Sequence, residues 1–277
     1  MSRVDAHQHF WKVSRGDYGW MSAPAVAPLR RDFLPADLAP HLRQNHVERT
    51  IVVQAAPTTA ETDFLLELAR SHESIAGVVG WLDLESPEFP TELAHYAATE
   101  KFLGIRPMLQ DLEDDEFIVR RPVIENLKRL AESGRTLDLL ILSRHLSIAL
   151  EALQAVPELR AVIDHCAKPD LVSGNLDGWR EGMSRLATRT SAACKLSGLV
   201  TEARPGCNVQ DLLPAVEHVW AAFGPERLMF GSDWPVCTLA ADYSRVVELL
   251  NEALGSRLSD AEEERVFGEN ARRFYRV

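Results

Sequence analysis

Eight short runs of apolar and β-branched residues recur along this chain, and helix-length amphipathic stretches separate them. The runs are Val4 to His9, Thr50 to Ala55, Ile75 to Leu82, Phe102 to Pro107, Leu137 to Leu142, Leu159 to His165, Ala192 to Ser197 and Arg227 to Asp233. Strand-sized runs alternating with helix-sized ones read as βα units around a parallel sheet, and eight such units close a barrel. A length of 277 residues suits one barrel, for which about 250 is typical. The expected architecture is α/β, a single (β/α)8 TIM barrel over residues 1–277.

The separating stretches carry apolar residues at three-to-four spacing, the stripe that an outer-ring helix turns toward a sheet. They are Pro35 to Asn45, Ala60 to His72, Glu88 to Thr99, Phe117 to Ser133, Leu146 to Ala155, Leu176 to Thr190 and Val209 to Phe223. Ser259 followed by Glu262 forms a capping-box pattern that starts a last helix over 259–275. The longest irregular segment, Trp11 to Phe33, follows the first strand. It therefore belongs to the C-terminal face of the barrel, where barrel enzymes keep their sites and lids.

Charge and cysteine usage narrow the partners. Lysine and arginine number 30 against 41 aspartates and glutamates, a net charge of −11. That field repels phosphate backbones and anionic membranes, so neither nucleic acid nor membrane is an expected partner. No apolar run approaches the roughly 18 residues of a membrane span, and Arg3, Asp5, His7 and His9 interrupt the place where a signal peptide would need its apolar core. The cysteines Cys166, Cys194, Cys207 and Cys237 form no C-x-x-C pair, which argues for reduced thiols in a cytoplasm. A small molecule is the expected partner, and a homo-oligomer is compatible with the composition.

His7-Gln-His9 ends the first run, and the two-residue period of a strand puts both imidazoles on one side, where they can converge on one atom. Taken singly, such residues have ordinary roles as caps or core histidines. Here, however, ionisable residues recur at the ends of other strands: Arg106, His165, Lys195 and Asp233. A barrel gathers those ends at one face. Aromatic residues stand nearby, Trp11, Tyr18 and Trp20 in the first loop, Trp81 after the third strand and Trp234 beside Asp233. Flat apolar faces of this kind stack on sugar rings or simply fill a core.

Three stretches in order resemble the lactonase-containing branch of the amidohydrolase superfamily: Val4-Asp-Ala-His7-Gln-His9-Phe-Trp, Ile163-Asp-His165-Cys-Ala-Lys-Pro169 and Phe230-Gly-Ser-Asp233-Trp-Pro235. Gly104-Ile-Arg106-Pro, Lys195-Leu-Ser-Gly198 and Glu269-Asn-Ala-Arg-Arg-Phe274 are similar to that branch as well. The resemblance implies that His7, His9, His165 and Asp233 surround a hydrolytic water, with Asp233 as proton shuttle and Arg106 polarising the carbonyl. Lys195, Trp20, Trp81, Trp234 and Gln54 are the expected substrate contacts. The chain departs from metal-bridging members in two places: Arg106 stands where they carry a lysine, and the fifth strand ends without histidine. A two-metal centre is therefore not expected. One divalent ion, zinc or manganese, held by His7, His9 and Asp233 with or without His165, remains sensible. The branch is also similar to members that need no metal, in which histidines and Arg106 would stabilise the oxyanion.

The substrate implied is a sugar-acid lactone, of the L-fucono-1,5-lactone, L-rhamnono- or galactonolactone type, in carbohydrate catabolism. A pyrone-dicarboxylate lactonase is the alternative within the branch, but two carboxylates call for several guanidiniums, and strand ends offer only Arg106 and Lys195 as cations. A metal-dependent decarboxylase is a second alternative that would need a firmly held ion.

Overall fold

The computed structural model describes residues 3–255 and 258–277. Eight parallel strands follow one another in chain order: β1 (Arg3–Gln8), β2 (Val47–Val53), β3 (Ile75–Gly80), β4 (Phe102–Ile105), β5 (Thr136–Leu139), β6 (Ala161–Ile163), β7 (Ala193–Leu196) and β8 (Leu228–Phe230). Helices α1 (Pro35–Gln44), α2 (Thr59–Ser71), α3 (Phe89–Ala97), α4 (Arg121–Glu132), α5 (Leu146–Ala155), α6 (Asp177–Arg189), α7 (Val209–Phe223) and α8 (Tyr243–Leu254) alternate with them. This is the expected (β/α)8 barrel.

The seam between the last strand and the first closes just beyond β8. A parallel bridge joins Gln8 to Trp234, with His9 N donating to Trp234 O at 2.7 Å and Asp233 N to His7 O at 2.8 Å. The residues that close the barrel are thus the two histidines and the aspartate of its candidate site.

The strands all stop short of their apolar runs at the C-terminal end, and β6, β7 and β8 also begin later. β6 stops at Ile163 and β8 at Phe230, because the chain then turns out of the ladder. His165, Cys166, Ala167 and Lys168 all have left-handed backbone, with φ between 50° and 56°, and Asp233 has φ 57°. The segment from Trp11 to Phe33 is less irregular than expected. It holds three 3-10 turns and is pinned at its base by reciprocal Trp11–Phe33 backbone hydrogen bonds of 3.0 Å.

The C-terminal region departs from the sequence reading. α8, the eighth outer helix, went unanticipated, although Asp242 caps it by accepting from Arg245 N and Val246, Val247, Leu250 and Leu254 give it a buried face. The segment over 259–275 is not one helix. It comprises α9 (Asp260–Glu264), a wider π turn over Arg265–Glu269 and α10 (Asn270–Tyr275). α10 packs across the barrel floor: Ala271 and Tyr275 join Val4, Ala6, Ile51, Leu103, Val162 and Met229 in one buried cluster. Asn270, 2% exposed, donates to Pro225 O at 2.6 Å and Leu228 O at 2.7 Å, tying this floor to the start of β8.

Asn270→Ala strips the buried Leu228 carbonyl and the partly buried Pro225 carbonyl of their donor. The expected loss is about 1–3 kcal/mol of stability, read as a lowered urea midpoint with unchanged slope.

Candidate active site

The site is built in layers upward from the apolar floor. Lys195 lies two residues beyond Ala193, which faces the interior cluster, so the period of the strand turns its side chain into the barrel. Its ammonium has no exposed surface and meets Asp138 Oδ2 at 2.5 Å, Asp164 Oδ1 at 3.0 Å and His7 Nδ1 at 3.1 Å. From below, the Tyr275 hydroxyl donates to the same Asp138 oxygen at 2.7 Å. Asp164 also lies 3.5 Å from an Arg106 nitrogen and 3.2 Å from His7 Nδ1. Burial pushes the Asp138 carboxyl up to about 6 against the pull of Lys195. Burial acts on Asp164 in the same direction, but Lys195 and His7 outweigh it and hold that carboxyl well below the usual range. His7 is kept neutral, first by burial and also by the neighbouring Lys195 charge.

Asp138 and Asp164 escaped the sequence reading. Their available signal was a carboxylate inside an otherwise apolar strand run, Leu137 to Leu142 and Leu159 to His165.

Above this layer, His9 Nδ1 lies 2.7 Å from Val53 O. A carbonyl only accepts, so Nδ1 carries the hydrogen and Nε2 presents its lone pair. That lone pair faces Asp233 Oδ1 at 3.2 Å and His7 Nε2 at 3.2 Å, and His7 Nε2 is 3.8 Å from Asp233 Oδ1. Because His7 Nδ1 accepts from the Lys195 ammonium, the neutral His7 ring carries its hydrogen on Nε2, and that is the one proton these three atoms share unless a cation takes its place. Tetrahedral zinc bonds of about 2.0–2.1 Å would set ligand atoms about 3.3–3.5 Å apart, so the donor set fits one divalent ion. His7, Asp164 and His165 form a second, overlapping group of possible ligands.

The Lys195-Leu-Ser-Gly198 stretch supports two histidines at once. Lys195 lies beneath His7, and Ser197 Oγ is 2.9 Å from His165 Nδ1. Gly198 has φ +64°, and a Cβ there would stand 2.6 Å from the same ring nitrogen. Burial lowers His165 to about 4. Burial alone would raise Asp233, but its histidine surroundings, His165 foremost, overcome it, so the carboxyl stays ionised well below the ordinary range. Arg106 is clamped by Gln54, with Nη2 at 2.9 Å from Oε1 and a further bond to the Gln54 carbonyl. Its Nη1 reaches to 3.4 Å from His7 Nε2.

A cavity of about 200 Å³ covers this constellation, and His9, Arg106, His165 and Asp233 open onto it. Trp11 and Trp20 form one wall, with Trp20 Nε1 anchored on Ala55 O at 2.8 Å. Gln110, Asp111, Lys168, Thr201 and Glu202 supply polar groups around it.

Four residues expected to contact the substrate do not line this cavity. Lys195 and Gln54 are wholly buried and act on His7 and Arg106 rather than on the cavity. Trp234 is 2% exposed and packs against Phe10 and Phe33. Trp81 lines a neighbouring cavity instead. His7 has no exposed surface and lies one layer below His9 and Asp233. The polar residues Lys168, Thr201 and Glu202, which follow β6 and β7, went unnoticed because nothing in their spacing marks them.

The sequence pattern of the amidohydrolase family matches residues 4–277. The chain belongs to that family. It is 42% identical to an L-fucono-1,5-lactonase of Burkholderia ambifaria, covering 99% of this chain and 96% of that one. A Burkholderia multivorans protein of the same name is 39% identical over 99% of this chain and 95% of its own length. Among solved structures, a zinc-bound amidohydrolase from Burkholderia multivorans superposes with a TM-score of 0.95 at 37% identity, each chain covered in full.

In this amidohydrolase the buried lysine is the cation on which two carboxylates depend. Lys195→Met is expected to lower stability at pH 8 by about 3–5 kcal/mol, the usual cost of orphaning a buried charge. The deficit should shrink at pH 5, below the raised value of Asp138, where that carboxyl takes up a proton. Urea denaturation at the two pH values reads the difference.

Proposed function

We propose that this chain hydrolyses a sugar-acid lactone of the L-fucono-1,5-lactone type. The observation that carries the reading is 42% identity to an L-fucono-1,5-lactonase along nearly the whole of both chains. The cavity supports it independently. Its fixed cations are Arg106, committed to Gln54, and Lys168, 3.9 Å from Glu202, so a dicarboxylate would find no pair of free guanidiniums. A neutral ring bearing hydroxyls suits Gln110, Thr201 and Glu202 better.

In the proposed chemistry, Asp233 accepts a proton from water as the oxygen attacks the lactone carbonyl carbon. The carbonyl π pair moves to its oxygen. Arg106 and the Nε2–H of His165, whose Nδ1 can accept from Ser197, stabilise the charge that develops there. Collapse breaks the bond to the ring oxygen, which takes the proton back from Asp233, and the open-chain hydroxy acid leaves. A carboxylate held as low as Asp233 is a weak base, which favours an activated acyl group such as a lactone over an amide. When bound by His7, His9 and Asp233, a divalent ion would add a Lewis acid at the same place. Four free thiols support a reducing cytoplasm as its compartment.

Asp233→Asn keeps the shape but cannot take the proton, so kcat on L-fucono-1,5-lactone should fall by about 10²–10⁴ with the thermal melt preserved. Activity near wild type would remove Asp233 from the role of base. The substrate class is tested by kcat/KM on that lactone against 2-pyrone-4,6-dicarboxylate. The sugar lactone should win, and faster opening of the dicarboxylate would overturn the assignment.

A further inference from the structure

A second, larger cavity of about 700 Å³ adjoins the catalytic one, and the two share Trp20, Met108 and Asp111. The first already has room for the reacting ring, so the second is space that a simple lactone leaves unused. Its lining has a distinct chemistry. Trp20, Trp81 and Phe117 provide aromatic surface, Asp17, Asp83 and Asp111 provide carboxylates, and no lysine, arginine or histidine is among the lining residues. Leu112, one of three large apolar side chains left exposed among the described residues, also faces it. Flat aromatic faces beside hydrogen-bond acceptors suit a neutral hydroxylated ring, while the absence of cations disfavours an anionic group. The Trp20 indole, held by Ala55 O, is a fixed partition that a ligand reaching across both spaces would follow.

We infer that this second cavity is a subsite for a further neutral sugar ring joined to the reacting sugar acid, so that glycosylated aldonolactones are accepted together with simple ones. This rests on the proposed lactonase activity, because the first cavity must hold the sugar-acid part. Trp81 and Leu112 belong to the second space alone. Their loss should therefore act on the added ring and not on the sugar acid.

Calorimetric titration of the wild-type protein with gluconate and with cellobionate, which differ by one glucosyl ring, tests the subsite without requiring turnover. Cellobionate should bind about tenfold more tightly. Trp81→Ala should remove about two- to tenfold of that preference, the usual range for an aromatic contact, and leave gluconate affinity within about twofold. Leu112→Arg, which puts a long guanidinium side chain at an exposed position of the second cavity, should do the same without touching the core. Equal affinities for the two acids, undetectable cellobionate binding, or an equal loss for both acids in either variant would overturn the subsite. Hydrolysis of L-fucono-1,5-lactone by the same preparation reports separately on the lactonase reading. Its absence would sink that reading, whereas its presence with no preference for cellobionate would sink only the subsite.

Discussion

A lysine ammonium with no exposed surface lies inside this barrel, and with the groups around it joins four of the eight strands. Asp138 belongs to β5, Asp164 follows β6, Lys195 belongs to β7 and His7 to β1. Taking one such ion out of water costs several kcal/mol even after relaxation. That cost is offset only if the carboxylates stand where the ammonium can reach them, so the network holds four strands in one relative register. It also divides the interior into a dry lower half, floored by Tyr275, and an upper half where charge is tolerated. His7 is the shared boundary. Its Nδ1 faces the lysine below and its Nε2 faces His9 above.

The second constraint is backbone strain placed at the site. Left-handed conformation costs an L-residue about 1–2 kcal/mol, and His165 to Lys168 adopt it four times in succession. The turn is held by Trp179 Nε1 on Cys166 O at 2.7 Å and by Lys168 N on His165 O at 2.8 Å. What it achieves is aim: His165 leaves the strand direction and presents its ring to Asp233 and Ser197. Asp233 is turned by the same conformation on the other side of the cavity. Such strain persists where surrounding packing over-determines it, and its concentration here is in keeping with a reactive site.

The two-residue period of a strand brings His7 and His9 together, yet it fails one step earlier. Asp5 shares their parity but bonds Ser232 and Tyr243 on the outer side, because the β1–β2 register slips between Asp5 and Gln8. Periodicity alone cannot see that slip. Trp234 misled for a related reason: adjacency to Asp233 in sequence says nothing about direction once the chain turns left-handed there. The charged floor under the histidines was legible only as carboxylates in apolar strands, and their partner Tyr275 lies 137 positions from Asp138.

Local pattern was enough for the eight strands, seven of the helices between them, the barrel and the identity of the residues gathered at its C-terminal face, because periodicity and strand-end position follow from the backbone alone. Which of those residues reach the cavity was decided by tertiary structure. Lys195 became a support rather than a contact because the carboxylates that neutralise it arrive from other strands, and Gln54 because Arg106 takes up its amide. Trp20 lines both cavities whereas Trp81 lines only the second. Interior direction, burial and ion pairing are properties of closure, and closure at the His9–Trp234 and Asp233–His7 hydrogen bonds joins residues more than two hundred positions apart.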